Sequence, residues 1–209
     1  RLYRWHRRDR WWPTADVGPS AHLSEQEASR ELLAHWLTRF GPATLADMKW
    51  WTGWTMTKTR RTLAAIDAVE VQVEVGVGAE GAGVRSEAGY LMADDAEPIA
   101  ANGPWAALLP SLDPTPMGWK DRAWYLGPHK EELFDRNGNI GPTVWVDGRI
   151  VGGWAQRPDG EVVVALLEEV GADHRAMIDA EVDFVSRFVG PVVVKPSFPT
   201  PLQKRLSTG

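Results

Sequence analysis

The stretch Ala43–Val75, ATLADMKWWTGWTMTKTRRTLAAIDAVEVQVEV, decides the fold, because its periodicity changes part-way along. Thr44 stands where it can cap a short helix that Gly53 ends, and the run TKTRRTLAAID continues as a helix with Thr57 as its expected cap. From Val69 the pattern turns to strict alternation, VEVQVEV over 69–75, which reads as a half-buried strand. Upstream, SEQEASRELLAHWLTRFGP carries Ser24 and Glu27 at capping-box spacing. Leu33, Trp36, Leu37 and Phe40 then recur at helical intervals, and Gly41–Pro42 is a stop. Downstream, GVGAEGAGVRSEAG (76–89) breaks the strand and GYLMADD (89–95) resumes it. Three helices followed by a hairpin with a loose glycine-rich tip form the winged-helix plan, the tip being the wing.

Residues 97–142 are rich in Pro, Gly and Trp and read as turns and short helical pieces that pack rather than dangle. A meander begins at Thr143: TVWV, the turn Asp147–Gly148, RIVGGWAQ, the turn Pro158–Gly160, then EVVVALL. Asp-Gly between apolar runs is a strong hairpin signal, so three antiparallel strands are expected. A helix over Asp173–Phe188 follows, with Asp173 as cap and Ile178, Val182, Val185 and Val189 along one face, and PVVVK (191–195) is expected as a closing strand. The fold class expected is α+β: a winged-helix domain, then a small antiparallel β-barrel or meander with a packing helix. The boundaries are a basic lead-in segment over 1–23, the winged helix over 24–96 and a β-rich domain over 97–209.

The chain has 209 residues and a formal net charge of −5, unevenly spread. Residues 1–61 hold eleven Lys/Arg against six Asp/Glu, whereas 62–209 hold twelve against twenty-two. A basic end on an acidic body suits a protein that meets phosphate in one place, although Arg1–Arg10 also reads as a solvated tail. There is no cysteine and no His pair at i, i+4, so no disulfide scaffold, thiolate site, metal or other cofactor is expected. No apolar run is long enough to span a bilayer and the start lacks the apolar core of a signal peptide, so a cytoplasmic location and no membrane partner are expected. The chain starts at Arg1 rather than Met and is read as a fragment.

Candidate contact residues come from three places. On the third helix, a 100° step puts Thr59, Leu63 and Ile66 on one face and Lys58, Arg61 and Ala65 roughly opposite, with Arg60 at the edge. A basic outer face there suits phosphate or groove contact, and equally an ordinary solvated surface. In FDRNGN (134–139), Arg136 beside the turn pair Asn137–Gly138 offers a fork of donors, either for a phosphate or for a neighbouring carboxylate. Arg149 and Arg157 flank the two hairpin turns and are phosphate candidates on tips that are more often plain solvated turns. The twelve tryptophans are mostly core material, with one or two available for base stacking.

The run LLPSLDPTPMGWKDRAWYL, followed by FDRNGNIGPTVWVDGRIVGGWA, resembles the carboxy-terminal region of the AlkZ-like winged-helix DNA-glycosylase superfamily. The resemblance rests on Leu109–Asp113, Arg136–Gly138, Pro142–Gly148 and Gly153–Trp154 in the family's order, and on ELLAHWLTRFGPATLADMKWWTG upstream. It implies tandem winged helices around a DNA-binding concavity, double-stranded DNA as partner and hydrolysis of the N-glycosidic bond of alkylated bases. A Gln-x-Gln or Gln-x-Asp pair, nearer the amino terminus in the family, would place the water and steady the oxocarbenium ion. This sequence has neither pair; its nearest string, Gln72–Val73–Glu74, reads as the solvent face of a strand. Three functions stay open: part of a repair glycosylase, a noncatalytic DNA-binding regulator, or a protein-interaction scaffold.

Overall fold

A computed structural model describes residues 3–6, 10–13, 23–75, 85–97 and 103–208. The first of these form a small antiparallel hairpin, β1 (Tyr3–His6) with β2 (Arg10–Pro13), within the segment expected only as a basic lead-in. Helix α1 (Glu25–Phe40) begins at the expected capping box: Glu27 N donates to Ser24 Oγ, and Ser24 N donates to the Glu27 carboxylate at 2.8 Å. Both otherwise orphaned donors are thereby satisfied, and the Ser24 bonds hold the Glu27 carboxyl below its usual pKa. A two-residue strand, β3 (Ala43–Thr44), leads into α2 (Leu45–Thr52), which Thr44 caps and Gly53 closes at φ +69°. Helix α3 (Met56–Leu63) starts two residues earlier than the expected cap at Thr57 implies. Its cap is Thr55, which accepts from Lys58 N at 3.2 Å, and Thr57 lies inside the first turn.

Strands β4 (Ala68–Val75) and β5 (Arg85–Met92) then pair antiparallel over eight positions, and β3 adds to the far side of β5, giving the order β3-β5-β4. Residues 93–95, expected as the end of the second strand, instead form one 3-10 turn. The glycine-rich stretch expected as the wing falls largely on 76–84, outside the described residues. Leu33, Trp36, Leu37, Ala43 and Met48 make the core of this part, with Phe40, Leu63, Ile66 and Trp119 packed around it.

The second sheet is a meander of four strands, β6 (Ala106–Leu109), β7 (Thr143–Val146), β8 (Arg149–Gln156) and β9 (Val162–Leu166), all antiparallel in chain order. Among the described residues it does not close into a barrel, so of the two expected forms the meander is the one present. Both faces are covered. Leu108, Val144, Val146, Val151 and Val162 pack under α6 (Ala172–Val189) with its Ile178 and Val185. Trp145 and Ile150 face the other way, onto Tyr125, Leu126, Leu133 and Leu202 from α4 (Ala123–Leu126), α5 (Lys130–Leu133) and α7 (Pro201–Thr208). A strand buried on both sides needs no alternation, which is why TVWV is apolar or hydroxylic throughout.

Two expectations about the end of the chain are corrected. Helix α6 is capped by Gly171, with Asp173 in its first turn instead of at the cap. Residues 191–195 are not a strand: they run exposed past the end of β8, where the Gln156 amide donates to Val192 O at 2.8 Å and accepts from Val194 N at 2.9 Å.

The helical part and the meander meet at Asp47. This α2 residue is 4% exposed, yet its carboxylate accepts from Thr44 N (3.0 Å) and Thr44 Oγ (2.7 Å) on its own side. It also accepts from Lys120 N (2.9 Å) and Asp121 N (3.3 Å) on the other. Beside it, Trp119 meets Phe40 edge-on at 5.3 Å, and the Arg122 guanidinium lies over both the Trp50 and Phe134 rings, at 5.2 and 4.9 Å. Among the described residues no helix is long and apolar enough to cross a membrane.

Candidate nucleic-acid interface

Helix α3 buries Thr59 and Thr62 against its neighbours and leaves Arg60 and Arg61 exposed. Neither arginine makes an ion pair with a described residue, although the Arg61 charge is close enough to Glu25 to contribute, after Lys58, to lowering that carboxyl's pKa. Lys58 is different. Its Nζ bonds Glu25 Oε1 at 2.7 Å, 33 positions away, and lies 4.7 Å from the centre of the Trp54 ring. That bond and the lysine's charge hold the Glu25 carboxyl below its ordinary pKa. The basic face read from the sequence is therefore divided, with Arg60 and Arg61 available and Lys58 committed to the start of α1. Arg30 of α1, which the sequence reading did not single out, borders the same shallow dent as Arg61.

The second place is the turn after α5. Asp135 Oδ1 accepts from Asn137 N (2.8 Å) and Asn139 N (2.9 Å), and Oδ2 accepts from Asn139 Nδ2 (3.0 Å). These donors, Asn139's backbone first, keep the Asp135 carboxyl below its ordinary pKa. Gly138 completes the turn at φ +83°. Arg136 and Asn137 are pushed outward and exposed. Arg136 lies over the Phe198 ring, 5.5 Å from its centre, at the wall of a groove of about 740 Å³ that Lys130 and Lys204 also border. Phe198 and Lys204 were not legible as site residues, because no local spacing links positions more than 60 apart, and Lys130, six residues before Arg136, has no motif that marks it.

The hairpin tips are less open. Arg149 Nη2 donates to both Glu168 oxygens, at 3.0 and 3.1 Å, and His129 Nε2 shares that carboxylate at 3.0 Å. Arg157 pairs with Glu161 across its own turn. Both arginines thus have carboxylate partners, which neither the phosphate-contact reading nor the solvated-turn reading of these tips anticipated.

Gln72 and Glu74 do lie on the exposed side of β4, between half-buried Val71 and Val73. Gln72 Oε1 accepts from Ser86 Oγ at 2.9 Å, while Glu74 borders a cleft of about 510 Å³ with Trp119, Asp121 and Trp124. Among the described residues no cluster of three or more His, Asp or Glu is arranged to hold a metal ion.

The chain matches the family described as DNA glycosylase AlkZ-like over residues 1–188. No curated protein sequence matches it. Among solved structures it is similar to the Streptomyces sahachiroi DNA glycosylase AlkZ, with a TM-score of 0.69 and 23% identity over 88% of this chain. The match takes in 51% of that structure, so the chain spans about half its length, and at this identity the likeness speaks for the fold. The family match runs through all three sheets, helices α1 to α5 and most of α6, the elements that hold the quoted motifs in order, and the chain belongs to the AlkZ-like family.

Proposed function

We propose that this chain is a DNA-contacting part of a glycosylase-like repair protein acting on alkylated bases, and that it supplies binding surface in place of the family's catalytic glutamine pair. In this reading residues 24–96 are a winged helix, with α3 as the helix presented to double-stranded DNA. Residues 1–23 lead into it and 97–209 form a second domain. The helix order, the strand order β3-β5-β4 and a cluster of buried residues distinct from those of the meander, with Trp119 packed between them, support the division.

One observation carries the reading: Arg60 and Arg61 point outward from α3 without a carboxylate partner among the described residues. Cations kept free of internal pairs suit a polyanion, whereas Lys58 must first leave Glu25. Arg136 and Asn137 give a second contact on the far side of the molecule's joint, and Arg149 and Arg157 contribute only by exchanging Glu168 and Glu161 for phosphate.

The test is fluorescence-anisotropy titration of the chain on a duplex across a salt series. If Arg60 and Arg61 each neutralise one phosphate, Arg60→Ala/Arg61→Ala lowers the slope of log affinity against log salt by about 1.8, since each phosphate contact contributes about 0.9. Lys58→Ala shifts it less. An unchanged slope in the double variant would remove α3 from the interface. Binding that does not respond to salt would favour the scaffold reading, to which the stacked and exposed Phe184–Phe188 pair of α6 lends its one observation.

A further inference from the structure

The groove beside the Asp135–Asn139 turn combines features that a plain phosphate contact does not need. Three cations border it, Lys130, Arg136 and Lys204, against two carboxylates, Glu131 and Asp135. Asp135 spends its oxygens on the turn, as described, so it orients Arg136 and does not bond it. The groove also has an aromatic wall. Phe198 is 52% exposed, and the Arg136 guanidinium lies over its ring. A guanidinium resting on a ring keeps its edge donors for an anion and its outer face for another flat group.

Both walls are fixed in advance. Thr200, two residues after Phe198, is buried and exchanges bonds with Gln203: Thr200 N donates to Gln203 Oε1 at 3.1 Å and Gln203 N to Thr200 Oγ at 3.2 Å. Arg205 of α7 pairs with Glu132 of α5 at 2.5 Å, tying the two helices that carry Lys204 and Lys130. Little ordering is left to be done when a ligand enters.

We propose that this groove holds one unstacked nucleotide of DNA. Its phosphate lies among Arg136, Lys130 and Lys204, and its base stacks on the Arg136 guanidinium backed by Phe198. A duplex offers phosphates but no free base face, so the groove adds selectivity for single-stranded or locally opened DNA over intact duplex. The proposal rests on the reading of the chain as a DNA-binding unit.

The test uses the whole chain and a single-stranded dodecamer carrying one 2-aminopurine, beside a matched duplex. Phe198→Leu keeps apolar bulk without the ring, and Arg136→Lys keeps the charge without the plane. Each is expected to weaken the single strand about tenfold, toward the low end of what losing one base-stacking contact costs. Each also relieves the 2-aminopurine quenching seen with the parent, and Phe198→Leu leaves duplex affinity within twofold. If both variants bind and quench like the parent while inorganic phosphate at millimolar concentration competes, the groove is an anion site only and the proposal is overturned. If duplex binding persists and still depends on Arg60 and Arg61 while the single strand binds no better in the parent than in the variants, the proposal fails and the wider reading survives. Loss of all DNA binding in the parent overturns both.

Discussion

Replacing Asp47 by alanine should damage both the start of α2 and its attachment to the meander. Four donors converge on this carboxylate: Thr44 N and Oγ, Lys120 N and Asp121 N. The hydroxyl can turn to another partner. The three backbone N–H groups cannot, and Asp47 itself is almost fully buried. Losing a cap interaction costs about 1 kcal/mol. Stranding a buried backbone donor costs about 1–3 kcal/mol, with the long 3.3 Å bond at the low end. The contributions share one acceptor and are not additive, so a total of about 3–4 kcal/mol is expected. Urea unfolding followed by tryptophan fluorescence should then show a midpoint lower by roughly 1.5 M, taking a slope of about 2–3 kcal/mol/M. Asp47→Asn keeps one oxygen and should lose about half as much. Because the residue joins the two parts, the fluorescence and far-UV dichroism transitions, expected to coincide in the parent, should separate in the alanine variant. A midpoint change under 0.3 M with coincident transitions would refute the assignment of Asp47 as the joint.

Other expectations follow from single contacts. In Gly152→Ala the new Cβ would sit 2.3 Å from Ala165 O and 3.0 Å from Leu166 Cα, both backbone, so this variant should lose more than about 3 kcal/mol or fail to express as folded protein. Ser24→Ala removes the side-chain half of the α1 capping box and should cost about 1 kcal/mol by the same urea assay. The Asp135 carboxyl has a depressed pKa in the folded chain, so its contribution is present above the ordinary carboxylate pKa and is lost as pH falls through the lowered value. Amide exchange protection at Asn137 and Asn139 should follow that acid-side loss, and Asp135→Asn should abolish its pH dependence. Arg149→Ala and Arg157→Ala, whose guanidinium groups are held by Glu168 and Glu161, should change duplex affinity less than twofold; a drop comparable to that of Arg60→Ala/Arg61→Ala would show that those pairs open on DNA.

The parts of the fold that local chemistry determines were legible. Ser24 with Glu27, Thr44 and Gly53 punctuate the helices because a side-chain oxygen or a left-handed residue acts within one turn. Asp147–Gly148 and the Gly160 turn set the hairpins in the same way, Asp147 at φ +46° and Gly148 at +83°. Strand β6 was missed because Ala106–Leu109 has no alternation to show; it pairs with β7 in an interior sheet. Helix α7 went unread: it begins with Pro201 in a proline-rich run, although the Thr200–Gln203 exchange is a start signal that could have been read. Over 191–195, β propensity had no neighbouring backbone edge to act on. The candidate site was legible in residue type and not in availability. Nothing near Lys58 in the chain reveals that Glu25 takes its charge, and nothing near Arg136 reveals Phe198.

The Gln156 amide holds the 191–195 segment by reading backbone alone, at Val192 O and Val194 N. The side chains of Val192, Val193 and Val194 stay exposed. The fastening is therefore blind to what those side chains are. Three consecutive valines in solvent are an aggregation liability that the fold does not require, and threonine or lysine at 192 and 194 would leave the strap closed while improving solubility. Changing Gln156, by contrast, would free the segment without altering any of its own residues.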